Sequence, residues 1–166
     1  MTSARRKRKQ YGLVCAVLLG AAAALLALTP LAQAGLTGRI VVDWHTGLAL
    51  SGYDPVAFFT DSRALTGSAE IELRHDGVIW RFRNVGNRAA FAERPDVYMP
   101  RYGGYDPVDV ARGVAVAGNP LVWAILGERL FLFYDRAQRE KFTADPARYV
   151  AAADRKWPAV MRTLDP

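Results

Sequence analysis

Two Tyr-Asp-Pro segments contain the residues of this sequence whose types and spacing best suit a binding or reactive site. Tyr53 and Asp54 lie in Gly-Tyr-Asp-Pro-Val, and Tyr105 and Asp106 lie in a second copy of that pentapeptide. Both pairs could bind a cation or a polar ligand in one cleft, and two carboxylates held close together raise the pKa of one of them. The alternative is structural, because Asp caps turns and Pro fixes their backbone. Both interpretations stay open at this point.

Two further side chains extend the candidate site. His75 lies in His-Asp-Gly, a turn sequence, and forms with Asp106 the best candidate pair of metal ligands. With histidine only at positions 45 and 75, the sequence has no cluster of three or four ligands with zinc spacing. Arg101 precedes Tyr-Gly-Gly, where glycines would let backbone amides approach an anion. A divalent metal ion is therefore the candidate cofactor, and a small polar ligand is the alternative occupant.

The two pentapeptides begin a longer internal repeat. After one residue is dropped, identical residues recur at a constant offset of 51. Residues 52–98 and 104–149 are therefore predicted to be two copies of one supersecondary unit. The matching pairs are Ala64 with Ala115, Gly67 with Gly118, Phe82 with Phe133, Arg88 with Arg139, Phe91 with Phe142, Pro95 with Pro146 and Tyr98 with Tyr149.

Each copy is predicted to be a β-hairpin followed by a helix. Alternating and β-branched residues predict strands at 70–74 and 78–83, and again at 121–126 and 129–134. Asn84 and Asp135 are candidate N-caps for helices near 87–93 and 138–144. Pro95 and Pro146 should end these helices, and a further helix is expected near 146–154. The fold class is therefore α+β, a compact domain of two related β-hairpin-plus-helix units over 35–158, with a tail at 159–166.

Large side chains recur at matching places in both copies and are predicted to form the core. Two small hairpin-and-helix units need aromatic residues to bury enough apolar surface. The predicted core positions are Trp80, Phe82, Phe91, Tyr98, Phe131, Phe133, Phe142, Tyr149 and Trp157.

Residues 1–34 are typical of a secretory signal peptide. A basic cluster at 5–9 precedes an apolar run, and Ala32-Gln33-Ala34 forms a small-x-small cleavage site. An uncleaved membrane anchor is the alternative, because about 18 apolar residues can span a bilayer. Both interpretations predict Sec-type export of the remaining chain. A cleaved signal would place it in the periplasm or outside the cell, and an uncleaved anchor would hold it on the outer side of the membrane. Contact with a membrane is expected only through an uncleaved segment.

The charge distribution argues against a nucleic-acid partner. The chain has 22 basic and 16 acidic side chains, a formal charge of +6. Five of the basic residues lie at 5–9, so 17 basic and 16 acidic residues remain after position 34. Such a nearly neutral surface does not neutralise many phosphates. The only cysteine, Cys15, lies in the apolar run, so thiol chemistry is excluded from the rest of the chain.

The sequence resembles the exported YHS-domain proteins. The residues that carry this resemblance are Gly52–Phe59, His75-Asp76-Gly77, Trp80-Arg81-Phe82, residues 87–91, residues 95–100, Tyr102–Tyr105, Asp135, Phe142, Asp145-Pro146, Tyr149 and residues 154–158. The resemblance implies a treble-clef-like, metal-associated fold. The Tyr-His-Ser triplet that names the wider family is absent, and Asp106 replaces the cysteine or selenocysteine that usually follows Gly-Gly-Tyr. A hard carboxylate there would suit oxygen-preferring cations better than copper or mercury.

Three functions remain as hypotheses. The first is a non-catalytic exported binding module that holds a metal ion or small polar ligand through Tyr53, Asp54, Tyr105, Asp106, Arg101 and His75. The second is an envelope hydrolase or isomerase with Asp and His as acid and base, although no nucleophile-elbow, zincin or phosphate-loop motif occurs. The third is an accessory subunit of a membrane complex, with an envelope protein as partner.

Overall fold

The computed structural model describes residues 38–164, in which short helices alternate with two β-hairpins. The first copy contains α1 (Ala57–Thr60), β1 (Ser68–His75), β2 (Val78–Phe82), α2 (Val85–Glu93) and α3 (Pro95–Tyr98). The second contains α4 (Pro107–Val110), β3 (Asn119–Leu126), β4 (Arg129–Phe133), α5 (Arg136–Ala144) and α6 (Pro146–Leu164). Short 3-10 turns at Leu50–Gly52 and Arg101–Gly104 precede the two Tyr-Asp-Pro segments. The α+β class is confirmed.

The two hairpins have the same strand register. Ser68 pairs with Phe82 in the first and Asn119 with Phe133 in the second, and each ladder shifts register just after this pair. The turn residues Asp76 and Gly77 both have positive φ, which matches the twist of two-residue hairpins. Both predicted hairpins are confirmed, with first strands that begin two residues earlier than expected.

The helices that follow the hairpins begin at the predicted caps. The backbone N–H of Asn87 donates to Oδ1 of Asn84 at 2.8 Å, and that of Gln138 donates to Oδ1 of Asp135 at 2.8 Å. Each cap satisfies one of the free amides of a first helical turn. Helices α2 and α5 end just before Arg94 and Asp145, the residues that precede proline. Both predicted caps and both predicted ends are confirmed.

The last helix is longer than its sequence predicts. Helix α6 runs to Leu164 through Pro158, so the expected end near Asp154 is wrong. A proline inside a helix removes one hydrogen bond and strains the preceding turn. Ala153 and Val160 are buried on either side of Pro158, and this packing holds the helix together.

The core is shared between the two copies. Leu130 and Leu132 of β4 pack into the cluster around Trp80, Phe82 and Phe91 of the first copy. A second cluster surrounds Phe131, Phe133 and Phe142. The six predicted Trp and Phe core positions before Tyr149 are all buried, whereas Tyr98, Tyr149 and Trp157 are partly buried against these clusters. The described residues belong to one compact unit.

Two observations concern the membrane and the N-terminus. From Gly38 to Leu164, no helix combines the length and the apolar character needed to cross a bilayer. The predicted signal peptide or anchor at 1–34 lies outside the described residues.

Candidate functional site

Asp54 is buried and all its hydrogen bonds serve the fold of the first copy. The backbone N–H groups of Val56 and Ala57 donate to its Oδ1 at 2.8 and 3.4 Å. Its Oδ2 accepts from the backbone N–H of Arg83 at 2.8 Å and from the side-chain amide of Asn87 at 2.7 Å. The carboxylate therefore joins the turn before α1 to the end of β2 and the start of α2. This geometry favours the structural interpretation of Asp54.

Asp106 repeats this arrangement in the second copy. Its Oδ1 accepts from the backbone N–H groups of Val108 and Asp109 at 2.8 and 3.4 Å, and its Oδ2 accepts from the backbone N–H of Tyr134 at 2.8 Å. Burial raises the pKa of the Asp106 carboxyl above its ordinary value, although the three amide donors act in the opposite direction. Asp106 is thus the N-cap of α4 and its link to the end of β4.

The raised pKa of Asp106 predicts a pH effect on stability. The folded state holds the proton more tightly than the unfolded state, so this group lowers the free energy of unfolding as pH rises past its unfolded value. Below that value the penalty is absent. Relative to an Asp106→Asn variant, the natural protein should lose stability as pH rises from about 3, through the ordinary Asp pKa of about 3.9, to above the raised pKa of this carboxyl. Urea unfolding of both proteins across this range measures the difference, and a relative gain in stability would contradict the prediction.

The two predicted tyrosines lie in structural surroundings. Tyr53 forms a β-bridge with Thr66 and packs against the first core cluster. Tyr105 donates its hydroxyl to the carbonyl of Gly38 at 2.6 Å, and burial raises its pKa. Each phenol therefore packs within the fold near its aspartate.

Arg101 ties the second 3-10 turn to α6. Its guanidinium forms an ion pair with Asp154 and lies 5.1 Å from the centre of the Tyr102 ring. The hydroxyl of Tyr102 donates to the same carboxylate at 2.9 Å, and burial raises the pKa of Tyr102 to about 12. Arg101 thus already has an anionic partner within the chain.

His75 lies at the end of β1, beside the hairpin turn. Its Nε2 is 3.6 Å from Oδ1 of Asp76, and its ring meets Phe91 edge-on at 5.7 Å between centroids. Asp106 makes its contacts in the other copy. Across residues 38–164, no hydrogen bond or ion pair joins His75 to Asp106, and no group of three His, Asp or Glu side chains is placed to hold a metal ion.

A different set of residues lines a groove of about 750 Å³ between α4, α5 and α6. Its apolar surface comes from Val108, Ala111, Val116 and Ala152. Its polar lining includes Asp109, Arg112, Tyr134, Gln138, Lys141, Arg148 and Tyr149. None of the six predicted site residues lines this groove. Ligand sites typically have this size and this mixture of apolar wall and few polar groups.

A chain of polar contacts is built into the groove. Asp109 is 3 % exposed, and its Oδ1 forms an ion pair with Arg112. The side-chain amide of Gln138 donates to Oδ2 of Asp109 at 3.0 Å, and Nζ of Lys141 donates to Oε1 of Gln138 at 3.1 Å. The buried carboxylate is thus neutralised, and it orients the amide that holds Lys141.

A difference between the two copies explains the opening of the groove in the second copy. The equivalent amide-to-carbonyl bonds from Asp54 to Leu65 and from Asp106 to Val116 align the copies around α1 and α4. In the first copy Phe59 fills this place, with its ring 5.4 Å from that of Tyr98 in an edge-on contact. In the second copy Ala111 stands at the position of Phe59, beside Tyr149 at the position of Tyr98. The smaller side chain leaves the groove open.

The polar lining also differs between the copies. Asp109, Arg112, Lys141 and Arg148 occupy the positions of Ala57, Thr60, Ala90 and Val97. Four charged groove residues thus replace four uncharged residues. The sequence carries a signal for these residues, because they lie at the positions where the two copies differ in charge and size.

No family model, no curated protein and no solved structure matches this chain. The resemblance to exported YHS-domain proteins therefore stays a prediction.

Proposed function

We propose that this chain is an exported, non-catalytic binding module that holds a small ligand in the groove between α4, α5 and α6. The observation that carries the proposal is the replacement of Phe59 by Ala111 at equivalent positions of the two copies, beside a groove of ligand size in the second copy. Export, and membership of the YHS-like group, rest on the sequence patterns alone.

The contacts of the acidic side chains support binding over metal chelation or acid–base catalysis. Asp54 and Asp106 direct their oxygens at backbone and side-chain amides. Asp109 uses one oxygen for Arg112 and the other for Gln138. A carboxylate held in this way positions its neighbours, and a metal ion or substrate proton would have to displace those partners first.

Small-molecule mapping on the full chain tests the proposal. The probes are benzoate, phenylacetate and hexanoate, each with its amide, added at millimolar concentration to ¹⁵N-labelled protein. We expect amide shifts at Ala111, Gln138, Lys141 and Tyr149, because these residues line the groove. The first copy supplies the internal control, since Phe59 and Tyr98 should not shift. Absence of groove shifts with all six probes would overturn the proposal.

A further inference from the structure

We infer that the ligand of the groove is an organic anion, a carboxylate or similar acid group on an apolar body. This inference rests on the proposed function and adds the chemical class of the ligand. The charges and the apolar residues that line the groove support it.

Two cations of the groove keep their charge available. Lys141 donates to the neutral amide of Gln138, and the guanidinium of Arg148 lies 5.7 Å from the centre of the Tyr149 ring. Neither forms an ion pair with an acidic side chain within residues 38–164. Both side chains are exposed, so they can reach a ligand without the loss of an internal ion pair.

The carboxylates of the groove are already committed to the protein. Asp109 is paired with Arg112 and accepts from Gln138, and Asp135 caps α5 through the backbone N–H of Gln138. The lining therefore contains three cations and two anions, and both oxygens of Asp109 and one oxygen of Asp135 accept hydrogen bonds from the protein. Lys141 and Arg148 are left to attract a negative group.

The apolar lining defines the rest of the ligand. Val108, Ala111, Val116 and Ala152 are buried or half-buried, and Tyr134 and Tyr149 add aromatic side chains to the lining. An inorganic ion such as free phosphate would leave these side chains unused, whereas an aromatic or aliphatic acid would cover them. Burial of apolar surface contributes about 25 cal/mol per Å².

Comparison of the acid and amide probes distinguishes binding in the groove from recognition of a negative charge there. The natural protein should bind each acid about tenfold more tightly than its amide, since about 1.4 kcal/mol of charge interaction gives this ratio. Lys141→Ala and Arg148→Val together place the first copy's residues in the groove, and this double variant should bring the ratio close to one. Arg155→Ala removes an exposed cation of α6 that does not line the groove and should leave the ratio unchanged.

Three other results would each overturn one or both proposals. Equal binding of acids and amides at the groove of the natural protein would overturn the anionic ligand and leave the binding function. A preference for acids that persists in the double variant would overturn the role of these two cations and with it the inference. Absence of all groove binding would overturn both proposals. Thermal unfolding of each variant will check that the fold is retained.

Discussion

Replacement of Asp54 by alanine should lower the free energy of unfolding by about 3 kcal/mol or more. The change removes a turn cap, which is worth about 0.5 to 2 kcal/mol. It also leaves the backbone N–H of Arg83 and the side-chain amide of Asn87, both part-buried, without their acceptor, and a fully buried unsatisfied group costs about 1 to 3 kcal/mol. Because domains of this size have small net stability, the variant should unfold at much lower urea concentration.

Asp61→Ala is the matched control. Asp61 is exposed and accepts a side-chain hydrogen bond from Thr60 alone, so its loss should change stability by about 0.5 kcal/mol or less. Urea unfolding of both variants compares the two aspartates directly. If Asp54→Ala were as stable as Asp61→Ala, the structural role assigned to the Tyr-Asp-Pro segments would be wrong.

Local sequence patterns predicted most of the fold. Alternation around Trp80 and Phe131, the turn at Asp76-Gly77 and the caps Asn84 and Asp135 all act within a few residues, so single-sequence reasoning could locate both hairpins and the helices after them. The sequence predicts helix α6 only as far as Asp154, because its continuation through Pro158 depends on tertiary burial of Val160. No local pattern reports that burial.

The candidate site was less predictable for a physical reason. Asp54 and Asp106 have the residue type and repetition of ligand-binding groups, but their burial and amide partners depend on β2 and β4, about 30 residues away in sequence. The residues that the two copies share, Asp54 and Asp106 among them, hold the fold. The groove depends on what they do not share, beginning with Phe59 and Ala111.

Ala111→Phe should abolish binding of the acid probes or weaken it by at least about tenfold. The new ring would lie against Tyr149 as Phe59 lies against Tyr98, and would fill the part of the groove beneath that tyrosine. Ala111 is only half-buried, so we expect the free energy of unfolding to change by about 1 kcal/mol or less. Benzoate titration followed by the amide shift of Gln138 measures the loss.

Titration of Ala111→Phe beside Ala92→Phe with benzoate shows whether the groove of the second copy is the ligand site. Ala92 is exposed on α2 of the first copy, so a phenylalanine there adds the same side chain away from the groove. We expect Ala92→Phe to bind benzoate with the affinity of the natural protein, whereas Ala111→Phe, still folded, should show no groove shifts. Equal affinity of the two variants would contradict the assignment of the ligand site to this groove.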